Sequence, residues 1–106
     1  MTPPQKTQAL IVHIDQDLED IVPGFLENRR RDVQTIHSAL AQNDLHAIYV
    51  IGHRMKGDGG GYGFDRISAI GAAMERAAEK QDCDMIRQQT AELTDFLARV
   101  TVVYQK

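Results

Sequence analysis

The chain has 106 residues, 42% of them apolar and 25% charged, with a net charge of −3 at pH 7, no tryptophan and a single cysteine, Cys83. That length supports one domain with a modest core, and the acidic balance argues against non-specific nucleic-acid binding, which needs a basic surface to neutralise phosphates. One cysteine excludes an intrachain disulfide and a zinc site of the paired-cysteine kind. The longest apolar stretch near the N-terminus is far too short to cross a bilayer, so no membrane insertion is expected and the cytoplasm is the expected compartment.

Residues 1–14 read as an N-terminal arm ahead of a single domain over 15–106. Residues 9–14 are apolar enough for a strand, but no partner strand is evident, so an arm laid over helices is expected. Asp15 and Asp17 suit helix N-caps, with Glu19 and Asp20 in the first turn. A short helix near 16–22 is predicted to bend or restart at Pro23. From Phe25 the apolar set Leu26, Val33, Ile36 and Leu40 recurs at helical spacing. The run Arg29-Arg30-Arg31, flanked by Glu27 and Asp32, reads as a solvated helix face, and His37 as a packing residue on a partly buried face.

Asn43-Asp44 stops that helix and Asp44 can cap the next. The following segment carries Leu45, Ile48, Gly52 and Met55 on one stripe and is expected to end at the glycine-rich stretch GDGGGYG. A further helix carries Ile67, Ile70, Gly71, Met74, Ala77 and Ala78 on one face; Glu75 and Glu79 read as solvated. Asp82 caps a last helix whose inner face is predicted as Ile86, Leu93, Phe96, Leu97, Val100 and Tyr104. The expected fold class is therefore all-α: an antiparallel up-down-up-down four-helix bundle with a short N-terminal arm or helix.

His53 falls off the core stripe of its helix, in line with His46, Tyr49, Val50, Lys56, Gly57 and Gly60. Residues three or four apart on a helix are surface neighbours, so His53 and Lys56 share a face. An exposed imidazole is a nitrogen nucleophile near neutral pH. A neighbouring ammonium offsets the charge of an arriving phosphoryl group. Glycines beyond it leave the approach open.

The run HRMKGDGGGYGFDRISAIGAAMERAA resembles the signature of histidine-containing phosphotransfer (HPt) domains. His is followed by Lys-Gly at three and four places, a small-residue stretch, a Gly at ten places, and a helix with apolar residues and a late acidic one. His53, Lys56, Gly57, Gly63, Ile67, Ile70, Met74 and Glu75 fit in order, and the likeness covers nearly the whole of residues 15–100. The resemblance implies a phosphocarrier rather than an enzyme. His53 would be the phosphoacceptor and Lys56 the cation beside the phosphate, with Gly57 keeping the approach open. The implied partners are response-regulator receiver domains or a hybrid sensor histidine kinase, which supply Mg2+ and most catalytic groups. Tyr49, Val50, Arg54, Gly57, Asp58 and Gly60 form the expected partner-docking surface, and a diffusible shuttle is the expected form.

GDGGGYG lacks the Gly-Lys-Ser/Thr ending that cradles nucleotide phosphates, so no ATP site and no cofactor are expected. No Glu-x-x-His pair is present and no metal site is expected. Asp58 departs from the family pattern, which has a small neutral residue there; a carboxylate beside a phosphohistidine is repulsive unless it points away or pairs with Arg54 or Lys56. It motivates the alternative reading, a non-phosphorylated HPt-like module that binds and regulates a receiver. Tyr62 and Phe64 are expected to plug the loop against the bundle end.

Overall fold

The computed structural model describes residues 8–106. In chain order it contains a strand β1 (Leu10–Asp15), a single 3-10 turn (Gln16–Leu18), helices α1 (Val22–Ala41), α2 (Leu45–Gly61), α3 (Asp65–Glu79) and α4 (Cys83–Arg99), and a strand β2 (Val100–Gln105). Consecutive helices pack on each other and α1 also packs on α4, so the contacts close into a ring around one core.

The helix boundaries follow from local chemistry. Pro23 sits in the first turn of α1, where its fixed φ suits the helix and its missing N–H is not needed. The expected restart at Pro23 is thus present, preceded by a 3-10 turn that Asp15 caps by accepting from the Asp17 N–H. The α1–α2 and α3–α4 turns share one construction. Asn43 and Gln81 adopt left-handed φ of 56° and 57°, and the next residue's N–H returns to Ala39 and Ala77 respectively, at 2.8 Å in both. Asp44 and Asp82 then cap α2 and α4 by accepting from the N–H of Ala47 and Met85.

Four expectations are corrected. Residues 1–7 of the expected arm lie outside the described residues, and the remainder is not unpartnered: β1 pairs in parallel with β2, Leu10 against Val100 through Asp15 against Gln105. Accordingly α4 stops at Arg99, and Val100 and Tyr104 belong to a strand rather than to the helix's inner face. The run Val100-Thr101-Val102-Val103 is β-branched throughout, which disfavours helix and fits a pleated, half-buried strand. Secondly, α2 does not end at the glycines but runs through Gly57, Gly59 and Gly60 to Gly61. Among the described glycines only Gly63, at φ +87°, turns the chain in a conformation that glycine alone adopts readily. Thirdly, Arg29 is buried, not solvated. Its Nε lies 2.8 Å from Asp32 Oδ2 and its guanidinium 4.8 Å from the Phe25 ring centroid, which compensates the burial. His37, conversely, is exposed rather than packed.

The core takes Ile48, Met55, Ile67, Met74, Ile86 and Leu93, all essentially inaccessible. At one end Phe64 is 1% exposed and stacks on Phe25 with centroids 5.4 Å apart, while Tyr62 closes on Phe25 at 4.4 Å. Ile14 of β1 seals the same end, 2% exposed, with Cδ1 so near Gly63 that a Cβ there would lie 3.1 Å from it.

The α2–α3 seam positions the site. A Cβ at Gly52 would stand 2.7 Å from the Glu75 backbone N, one at Gly59 2.5 Å from the Ser68 N, and one at Gly71 2.5 Å from the Lys56 N. The two helices are therefore in backbone contact along their length. Ser68 Oγ adds a 2.6 Å hydrogen bond to the Lys56 carbonyl. Packing of α2 on α3, closest at Gly52 and Gly59, offsets the helix propensity that its glycines lose, about 1 kcal/mol each.

Candidate functional site

Backbone contact between α2 and α3 brings the start of the last turn of α3 under the middle of α2. Glu75 there reaches two α2 side chains at once. Its Oε2 lies 2.9 Å from His53 Nδ1 and its Oε1 2.8 Å from Lys56 Nζ. The exposures differ sharply: 64% for the His53 side chain, 44% for Lys56 and 11% for Glu75. A nearly buried carboxylate thus carries an exposed imidazole and an exposed ammonium, one on each oxygen.

The charge state follows. Hydrogen bonding from Lys56, and next from His53, outweighs the raising effect of burial and holds the Glu75 carboxyl at about 2, against an ordinary 4.5. An ionised carboxylate only accepts hydrogen bonds. In the neutral imidazole, Nδ1 must then be the protonated nitrogen and donate to Glu75. The in-plane lone pair is left on Nε2, the nitrogen away from Glu75.

Tyr49, one turn earlier on α2, stacks on His53 with centroids 6.2 Å apart and planes 16° apart, and His46 stacks on Tyr49 at 6.4 Å. The Glu75 charge pushes the Tyr49 phenol up, with burial adding to it.

At roughly 100° of rotation per residue, Tyr49, Val50, Lys56, Gly57 and Gly60 all fall within about 60° of His53 on the α2 surface. Val50 is 41% exposed. A Cβ at Gly57 would meet nothing, and one at Gly60 only Ser68 Oγ at 3.9 Å. Arg54 lies about 100° away and Asp58 about 140° away by the same rotation. Asp58 lines a cleft against α1 with Arg29, Asn28 and Tyr62. Lys56 is paired with Glu75 rather than with Asp58.

Sequence reasoning missed the part Glu75 plays here, reading it as a solvated charge. The signal was present: Glu75 stands four residues after Gly71 and three before Ala78, in register with the buried face of α3. A carboxylate at a core-facing position requires partners. Among the described residues no three His, Cys, Asp or Glu side chains cluster to hold a metal ion.

Four helices in a closed ring of contacts hold an exposed histidine, hydrogen-bonded through Nδ1 to Glu75. The match to a family model agrees: the Hpt domain model matches residues 9–101, and the chain belongs to that family. Members of the family are phosphocarrier modules of phosphorelays, interacting with receiver domains and kinases, and are not catalysts in their own right. No curated protein and no solved structure matches the chain. No described helix is long and apolar enough to cross a membrane.

Proposed function

We propose that this protein carries a phosphoryl group on His53 Nε2 and exchanges it with the phosphoacceptor aspartate of response-regulator receiver domains, or takes it from a hybrid sensor kinase. The observation that carries this reading is the Glu75 bridge. It holds Nδ1 protonated while the ring remains 64% exposed, so that Nε2 is both nucleophilic and reachable.

The step balances simply. The Nε2 lone pair forms a bond to phosphorus, the P–O bond to the receiver aspartate breaks, and its electron pair returns to the aspartate carboxylate. The Nδ1 proton stays on Nδ1, shared with Glu75, so the product is a phosphorylated imidazolium whose positive charge faces a carboxylate. Lys56 stands within reach to turn from Glu75 towards the phosphoryl oxygens. Any Mg2+ and most catalytic groups belong to the partner. Gly57 and Gly60 keep the approach clear, with Tyr49, Val50, Arg54 and Asp58 around the docking surface. The reading places the protein in the cytoplasm, as a phosphoprotein. Three-residue connections between successive helices support an antiparallel up-down-up-down bundle.

Docking without phosphate carriage was motivated by a carboxylate at Asp58 beside the histidine. With Asp58 in the cleft against α1, that alternative has no observation in its favour. Incubation with a phosphorylated receiver is expected to give acid-labile, alkali-stable label on the protein. Equal labelling of His53→Gln would overturn the assignment.

A further inference from the structure

The Glu75 hydrogen bond fixes one edge of the His53 imidazole, but the faces of the ring are a separate matter. Tyr49 stands beside one face, in an offset stack. The two rings are nearly parallel, 16° apart with centroids separated by 6.2 Å, inside the range of offset aromatic stacking. Tyr49 is itself half-buried and held from its other side by His46, 6.4 Å away and 18° from parallel. The three rings form a column up one face of α2, at spacings of three and four residues that place side chains over one another. Tyr49 is thus flanked by an imidazole on either side, one of them that of His53.

The geometry points to Tyr49 as a positioning residue that stabilises the phosphorylated form of His53, beyond any part it has in docking. The inference rests on the proposal that His53 carries the phosphoryl group. A phosphorylated imidazole that keeps its Nδ1 proton is a delocalised cation, and the electron-rich face of a phenol ring attracts such a cation. Phosphoryl transfer occurs in the plane of the imidazole, at Nε2, so a ring stacked on its face does not obstruct the reaction. Loss of the phosphoryl group removes the positive charge and with it the extra attraction. Tyr49 thus favours the phosphohistidine over the free histidine and slows its breakdown.

The test uses phosphoramidate, a small donor that needs no receiver. The Nε2 lone pair bonds to phosphorus, the donor P–N bond breaks and its ammonium nitrogen leaves as ammonia. The intact protein, Tyr49→Phe and Tyr49→Leu are phosphorylated in this way, and decay of the phosphohistidine is followed by 31P NMR. Aromatic pairs of this kind support a change of about two- to ten-fold. Tyr49→Leu is expected to lose the phosphoryl group faster by that factor, while Tyr49→Phe keeps the rate of the unsubstituted protein. Equal decay in all three overturns the inference, as does a Phe variant that decays as fast as the Leu one. Circular dichroism melting of each variant shows whether the fold is retained. A receiver that fails to exchange phosphate with the unsubstituted protein would sink the proposed function, and the phosphoramidate decay would still read out Tyr49.

Discussion

The α2–α3 seam and the α1–α4 seam are built differently within one bundle. Along the first, Gly52, Gly59 and Gly71 leave no Cβ at three points of closest approach, and backbone meets backbone there. Along the second, side chains such as Val33, Gln34, Thr94 and Leu97 hold the helices apart and line a surface groove. The site sits on the first. A carboxylate that must reach His53 and Lys56 with separate oxygens has little tolerance, and backbone contact fixes its distance more tightly than interleaved side chains can. The α1–α4 seam positions no such group and stays loose.

The sharpest way to break this comparison is to restore side chains to the tight seam. Gly71→Val is expected to destabilise the protein by about 3 kcal/mol, the upper end of overpacking effects, since its Cβ would stand 2.5 Å from the Lys56 N. Ala98→Val in the α1–α4 groove is expected to change stability by less than about 0.5 kcal/mol. Urea denaturation of both variants measures the contrast; similar losses would show that the seams do not differ as described.

Next in size is the carboxylate itself. Glu75→Gln is expected to slow phosphotransfer to His53 by about ten-fold or more, as loss of a tautomer-fixing partner does elsewhere. Its 15N–1H spectra should show both His53 tautomers where the unsubstituted protein shows one. The pH dependence has a definite sign. A folded-state value of about 2 against an ordinary 4.5 is a depressed carboxyl, so its contribution to stability is present above about 4.5 and is lost as pH falls towards 2. Acid titration of Glu75→Gln should therefore lose less stability than the unsubstituted protein across that window.

Smaller effects sharpen the frame around the seam. Gln81 adopts a left-handed φ of 57°, strained for a residue with a Cβ, and Gln81→Gly is expected to stabilise by about 1 kcal/mol in thermal melts. The smallest effect is assigned to Asp58→Ser: since Asp58 faces α1, the transfer rate is expected to change by less than about two-fold. A larger gain would put the carboxylate back beside the phosphate.

Much of the helical part was legible. The stripes Ile67, Ile70, Gly71, Met74, Ala77, Ala78 and Ile86, Leu93, Phe96, Leu97 are the buried faces of α3 and α4, because helical periodicity records which face leaves water. Asp44 and Asp82 were readable as caps for the same local reason. What failed was non-local. Strand β1 has a partner only because β2 lies 90 residues on, which no window of neighbouring residues reveals. Helix α2 runs through its glycines against a propensity rule because α3 presses against Gly52 and Gly59, and that contact is invisible along the chain. His53 and Lys56 could be placed on one face by counting. Glu75 could not be tied to them that way, since the link between residues 75 and 53 is made by helix packing and not by sequence distance.

The most direct test of the account is 31P–15N NMR of the protein phosphorylated by a receiver, reading which histidine nitrogen carries the phosphorus. Coupling to His53 Nε2, with the proton still on Nδ1, is the predicted result. Phosphorus on Nδ1, or on any residue other than His53, would contradict it.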